Sequence, residues 1–236
     1  MRKIWGMNIL IVSATLFEIK PFLEKSKIAF DLDSIVYKGI YLDHEITVLI
    51  SGVGMVSTTH LLTQCLIYED GFDLAINVGI AGSFNKNHAI GSVVNIIEDR
   101  FSEMGAENGD DFIPAEKMKF NKENRPNASL GKIENNNLKF EFLNSLPQVI
   151  GVTVNKVGGN NNSIKNTIAL HNPDIETMEG AAFMYVCKME NQNFVQIRSI
   201  SNYVEPRNIN NWNIPLAINN LNDFLINFLE SIYNVK

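Results

Sequence analysis

Two carboxylates stand out among the residues whose types could do chemistry. Glu18 lies just past a short apolar run and opens a segment of helical period. Glu179 enters the small, apolar stretch Thr177-Met178-Glu179-Gly180-Ala181-Ala182-Phe183. A carboxylate within reach of a proton can serve as a general base, and a buried one is costly unless it is hydrogen-bonded. Each also has a plainer reading: Glu18 as a helix-dipole partner or solvated first-turn acid, Glu179 as a helix-start acid satisfied by backbone amides. Ser201-Asn202 follows another apolar run and either meets a ligand or caps a turn. Gly52-Val53-Gly54 has only the beginning of a dinucleotide fingerprint and lacks its third glycine, so alone it marks a tight strand–helix turn.

These residues share a placement. Short runs rich in β-branched residues read as strands at Ile9–Ser13, Ile46–Ser51, Leu74–Val78, Ser92–Ile97, Val149–Val154 and Phe194–Ile200. Segments of helical period read as helices at Thr15–Glu24, Met55–Tyr68, Leu138–Leu146, Ser163–Leu170, Gly180–Asn191 and Pro215–Tyr233. The alternation predicts an α/β fold: a central mixed, mostly parallel sheet with helices on both faces, in three αβα layers. In such sheets ligands gather outside the carboxyl ends of the strands, where Glu18, the Gly52 turn, the expected turn Gly79-Ile80-Ala81-Gly82 and Ser201-Asn202 all fall. Two polar stretches interrupt the pattern, 99–125 and the asparagine-rich 155–162, and long loops of this kind are usually functional. One domain is the simplest organisation, with residues 1–7 as an irregular extension.

Composition narrows the function classes. With 236 residues, 45% hydrophobic and 19% charged, the chain can bury a core without disulfides or metal. A net charge of −6 with scattered basic residues argues against a nucleic-acid partner. Cys65 and Cys187 read as buried thiols. The four histidines show no ligand spacing, so no metal and no cofactor is implied. No apolar stretch reaches the roughly 18 residues of a membrane span, and the expectation is a cytoplasmic protein with no membrane partner.

Taken in order and spacing, Asn8–Ile19, Gly52–Met55, Asn77–Gly82, Met178–Ala182 and Arg198–Asn202 resemble the nucleoside phosphorylase/nucleosidase superfamily, over nearly the whole chain from about Asn8 to Phe228. The branch that it looks most like holds methylthioadenosine/S-adenosylhomocysteine nucleosidase and futalosine hydrolase. Gly105–Asp110 and Arg198–Arg207, with Trp212 following, look like futalosine hydrolase. The resemblance implies a homodimer that cleaves the N-glycosidic bond of a purine nucleoside with water. It implies Glu18 as the base that deprotonates the water and Glu179 as the carboxylate that grips the ribose hydroxyls beside the Met178 backbone. Ala81, Gly82 and Ser201 would line the substrate. Phe112 and Pro114 fall in the loop through which a neighbouring subunit would close the pocket.

Asn202 departs from the adenosine-type nucleosidases, which carry an aspartate there. An amide donates and accepts hydrogen bonds but is no proton donor in the catalytic sense. It suits a 6-oxopurine and disfavours adenine, which points to futalosine, a hypoxanthine nucleoside whose cleavage feeds menaquinone synthesis. The Ser13–Glu18 loop offers no arginine and sets an acid where a phosphate would sit, so water is the expected nucleophile. The alternatives are a methylthioadenosine/S-adenosylhomocysteine nucleosidase, a purine nucleoside phosphorylase, and an inactive ligand-binding relative. For the 5′ substituent the sequence leaves Arg100, Arg125 and Arg207 open.

Overall fold

A computed structural model of the chain describes residues 6–69, 71–109, 111–118, 131–135 and 140–234. In chain order its elements begin β1 (Asn8–Ser13), α1 (Leu16–Ser26), β2 (Val36–Tyr41), β3 (His44–Ile50), α2 (Met55–Tyr68), β4 (Leu74–Ser83) and β5 (Val93–Arg100). They continue with β6 (Gly105–Asn108), β7 (Asp111–Pro114), β8 (Lys132–Glu134), β9 (Gln148–Thr153) and α3 (Asn161–His171). The last are β10 (Ile175–Thr177), α4 (Gly180–Met189), β11 (Phe194–Tyr203) and α5 (Ile214–Asn234).

The main sheet runs β10-β9-β5-β11-β4-β1-β3-β2, with β8 on β5 and β10 pairing back onto β4. That return closes β4, β11, β5, β9 and β10 into a ring. Pairing is mixed: β1 is parallel to β3 and β4, and β4 to β11, whereas β5 runs antiparallel to β11. Central strands buried on both faces need near-continuous apolar runs, and β1 supplies one. Ile9 and Ile11 point to the face covered by α1 and α5, where they meet Phe22, Leu23, Leu225 and Phe228. Leu10 and Val12 point to the opposite face, against Leu62 and Cys65 of α2 and Phe183 and Cys187 of α4. The expected three layers are there, and both cysteines are buried free thiols.

The structure departs from the sequence reading in several places. The expected turn at 79–82 is instead the continuation of β4, because β11 pairs along it to Tyr203↔Ser83 and β10 adds Glu176↔Gly82. Tertiary pairing overrides the glycine signal there. The helix expected over Leu138–Leu146 is, among the described residues, a 3-10 turn at Glu141–Ser145. Its Phe142 packs on Phe224 and Phe228 of α5, so the aromatic spacing served packing. The polar stretch 99–125 contains the hairpin β6–β7, and the remainder from 119 lies outside the described residues. β2 joins β3 through Leu42-Asp43, both at positive φ, a tight hairpin that the sequence reading missed. Of the expected extension 1–7, residues 1–5 lie outside the described residues, and Met7 is already tied to β3: its N–H donates to His44 Nδ1 at 3.0 Å.

Phe183 tests how α4 docks. Its ring is fully buried and meets Phe194 edge-on at 5.8 Å. Phe183→Ala is expected to lower the unfolding free energy by about 3–5 kcal/mol, measured by urea denaturation.

Candidate active site

A cleft of about 300 Å³ opens at the carboxyl ends of β1, β4 and β11. Glu18, Ala81, Gly82, Met178, Glu179, Ser201 and Asn202 line it, so seven of the eight side chains singled out from sequence come together. Phe112 does not join them: it lies on β7 and lines a second cavity of about 580 Å³.

Glu18 is held by the start of its own helix. Thr15 is the N-cap of α1, and Glu18, at the third helical position, closes a capping box with it. Glu18 Oε2 accepts from the Thr15 N–H at 3.1 Å and hydroxyl at 2.9 Å, while Oε1 accepts from the Ile80 N–H of β4 at 3.1 Å. The helix-start reading is thus correct but incomplete, because the same carboxylate walls the cleft. Burial pushes its pKa up, against the pull of Arg198 and the Ile80 and Thr15 donors, and nearby Glu179 pushes it further up.

Glu179 precedes α4 as its N-cap but makes no side-chain cap bond. Its Oε1 instead accepts from the Gly54 N–H at 3.0 Å. That explains the glycine pair: Gly52 and Gly54 stand at φ of +73° and +94°, a path that other residues rarely follow. The turn aims a backbone donor across the cleft.

Between the two acids lies a residue that sequence reasoning quoted within a motif but did not assign. Arg198 is fully buried in β11. Its Nη1 approaches Glu179 Oε2 at 3.9 Å, Nη2 donates to Asn77 Oδ1, and Nε donates to Gln196 Oε1 at 3.3 Å. A Cβ on Gly79 would collide with Nη1 and stand 3.0 Å from Glu18 Oε1, so glycine is needed where the guanidinium crosses β4. The signal in sequence was an arginine inside an otherwise strand-like apolar run.

A second buried network fixes the entry of α4. Gln196 Nε2 donates to Asp99 Oδ2 at 3.1 Å, and the Thr153 hydroxyl donates to Asp99 Oδ1 at 3.0 Å. Thr153 Oγ1 accepts from the Ala181 N–H at 2.7 Å, and Thr177 Oγ1 from the Gly180 N–H at 3.1 Å. Two first-turn donors of α4, which no intrahelical acceptor can reach, are satisfied this way. Burial raises Asp99 to about 6, against the pull of the Gln196, Thr153 and Arg100 donors. Any Cβ on Gly180 would strike Asp99 and Gln196.

At the other end of the cleft β11 carries a bulge at Ser201, between the pairs Ile200↔Ala81 and Asn202↔Gly82. Bulges re-aim side chains. Here Ser201 Oγ donates to Asn202 Oδ1 at 2.7 Å, and Asn202 Nδ2 donates to Tyr203 O at 3.0 Å. One N–H and one oxygen lone pair of the amide are left for a ligand. Asn202 stands over Gly82, three residues along β4 from Gly79, a separation of about 10 Å. Of the three arginines left open, Arg207 lines the cleft and stacks on Trp212 at 5.0 Å. Arg100 is paired with Glu98 at 2.6 Å, and Arg125 lies outside the described residues. Among the described residues no group of three or more His, Cys, Asp or Glu side chains could hold a metal ion, and no helix is long and apolar enough to cross a membrane.

The sequence profile of the phosphorylase superfamily matches residues 8–130, more than half of the chain. The chain belongs to the phosphorylase superfamily. No curated protein matches it. Among solved structures, this phosphorylase-superfamily chain is similar to 5′-methylthioadenosine/S-adenosylhomocysteine nucleosidase of Helicobacter pylori, with TM-score 0.78 and 20% identity over 96% of this chain and 99% of that one. It is similar to a futalosine hydrolase mutant of Helicobacter pylori, with TM-score 0.77 and 22% identity over 95% and 99%. The Neisseria meningitidis methylthioadenosine/S-adenosylhomocysteine nucleosidase, in complex with methylthio-immucillin-A, gives TM-score 0.78 at 16% identity over 95% and 99%. At these identities the likeness is one of fold.

Arg198 is the test of the site's electrostatics. Removing one partner of a buried pair leaves an uncompensated charge. Arg198→Met is expected to cost about 3–5 kcal/mol of unfolding free energy, read by urea denaturation. Arg198→Lys should not restore it, since one ammonium cannot reproduce the forked contacts to Asn77, Gln196 and Glu179.

Proposed function

We propose that the protein hydrolyses the N-glycosidic bond of a 6-oxopurine nucleoside, with futalosine as the substrate, releasing hypoxanthine and dehypoxanthine futalosine for menaquinone biosynthesis. The observation that carries this reading is the pair of buried acids at one end of the cleft and, at the other, an amide rather than an acid at position 202. The span between Gly79 and Gly82, about 10 Å, suits a ribose at the first end and a purine at the second.

Glycosidic cleavage builds positive charge on the sugar and negative charge on the departing base. Water enters beside Glu18, whose raised pKa makes it the better base. The carboxylate takes the water's proton as oxygen bonds to C1′ and the C1′–N9 pair leaves with the purine. Glu179, held by Gly54 and Arg198, accepts from the ribose hydroxyls and faces the positive charge growing at C1′. Asn202 donates its free N–H to N7 or O6 and accepts at its carbonyl, a pattern matched to hypoxanthine. Arg207 lines the cleft wall, which supports it as the partner of futalosine's carboxylated tail.

Charge supports hydrolysis over phosphorolysis. Glu18 and Glu179 line the sugar end, while Arg198 behind them is buried and engaged by its partners. A phosphate there would face two carboxylates. A homodimer completes the reading: Phe17, Val53 and Val56 are exposed apolar side chains at or beside the cleft, and Phe112 would serve the neighbouring subunit's pocket.

Purified protein incubated without phosphate with futalosine, inosine and methylthioadenosine tests the reading, with free base followed by chromatography. Hypoxanthine from futalosine at a kcat/KM at least about 100-fold above that for adenine release from methylthioadenosine is expected. Glu18→Gln should lower kcat by about 10²–10⁴. Faster adenine release would shift the assignment to an adenine nucleosidase and leave Glu18 and Glu179 in their roles.

A further inference from the structure

An amide at position 202 leaves the departing purine without a proton source, and two further acids line the cleft: Glu205, which accepts from the Asn211 side-chain N–H at 2.7 Å, and Glu176, the buried one. Glu176 lies in β10, whose alternation sends Ile175 and Thr177 to one side, toward the core and the Asp99 network, and Glu176 to the other. Its register partner is Gly82. Over Gly82 three groups converge: a Cβ there would stand 3.0 Å from Val204 Cγ2, 3.2 Å from Asn202 Nδ2 and 3.4 Å from the Cγ of Glu176. The acid and the amide therefore border the same small volume.

The carboxyl of Glu176 is buried but poorly served. Both oxygens share one donor, the Gly158 N–H, at 3.1 Å each. Glu18, by contrast, has three donors and a nearby guanidinium. A buried carboxyl with one shared N–H is better off neutral, and a neutral carboxyl carries a proton to give. We propose that Glu176 is the acid that protonates the departing purine, the task that Asn202 cannot perform.

The inference rests on the nucleosidase reading above. As the C1′–N9 bond breaks, its electron pair goes to the purine, and the Glu176 O–H proton passes to a ring nitrogen or O6. Water bonds to C1′ and its proton goes to Glu18. One water is consumed, and both carboxyls return to their starting states by exchanging a proton with solvent.

The surroundings agree. Burial raises Glu176 to about 7, opposed by the Gly158 donor and assisted by the like charge of Glu103. Glu103 is itself engaged by the backbone and side-chain N–H groups of Asn155. Lys156, Glu107 and Asp111 line the second cavity that Glu176 also borders, and Tyr203, Glu205 and Arg207 share its own cleft. An acid that must be protonated is active below its pKa and lost as pH rises through it, so kcat should fall above about pH 7.

Glu176→Gln keeps an oxygen for Gly158 N–H and the volume of the side chain, and thermal unfolding checks that it folds. The experiment measures kcat and KM for hypoxanthine release in both proteins across the acidic to alkaline range. The expected result is a kcat about 10²–10⁴ lower at mildly acidic pH, KM within a few-fold, and disappearance of the alkaline fall seen in wild type. A kcat within about threefold of wild type would overturn the proposal, as would an equal loss at every pH with the alkaline fall retained. A rise in KM alone would make Glu176 a binding group and also overturn it. Wild-type protein that releases no base from any nucleoside would instead refute the nucleosidase reading on which the inference stands.

Discussion

The rest of the site depends on one buried cation. Arg198 lies in the centre of the sheet with no solvent around its guanidinium, and a charge in that position survives only if opposite charge and hydrogen-bond acceptors surround it. Asn77 and Gln196 supply neutral acceptors, and Glu179 and Glu18 supply the charge. The requirement is reciprocal. Two carboxylates buried at the same end of one cleft repel each other, and the Arg198 guanidinium opposes that repulsion. The glycine at 79 is part of the same constraint, since the guanidinium passes where its side chain would be.

From that centre the positioning of the remaining groups follows by contact. Gln196 passes the network on to Asp99, Asp99 to Thr153, and Thr153 to the first turn of α4, which presents Glu179. The Gly52–Gly54 turn reaches Glu179 from the opposite side. The Ser201 bulge belongs to the same strand as Arg198, so β11 sets both ends of the cleft: cation and acids at one, amide at the other. A site assembled this way has its charges in place before a ligand arrives, which is the arrangement that favours a charge-separated transition state over the ground state.

Much of this was legible in the sequence, for reasons that can be named. The strand–helix alternation announced the layered α/β fold because β1 is apolar on both faces and β4 nearly so, and Glu18, Glu179 and Asn202 stood out because each follows a strand or opens a helix. The capping box of Thr15 and Glu18 was also readable from its spacing, although only the acid was noticed. What was not legible depends on through-space pairing. Strand β4 runs on through Gly79 to Ser83 only because β10 and β11 pair with it. Glu176 stands out only once β10 sets it beside Gly82, and Arg198 only once the sheet closes around it. The family resemblance implies Phe112 for a neighbouring subunit's pocket, and within its own chain it lines a different cavity.

The central claim is that two carboxylates admit water and exclude phosphate as the nucleophile. Phosphorus NMR of a reaction run in phosphate buffer with a 6-oxopurine nucleoside tests it most directly. The account predicts that free base accumulates while the inorganic phosphate signal alone persists, at a rate independent of phosphate. A sugar 1-phosphate signal growing in step with the base would contradict it.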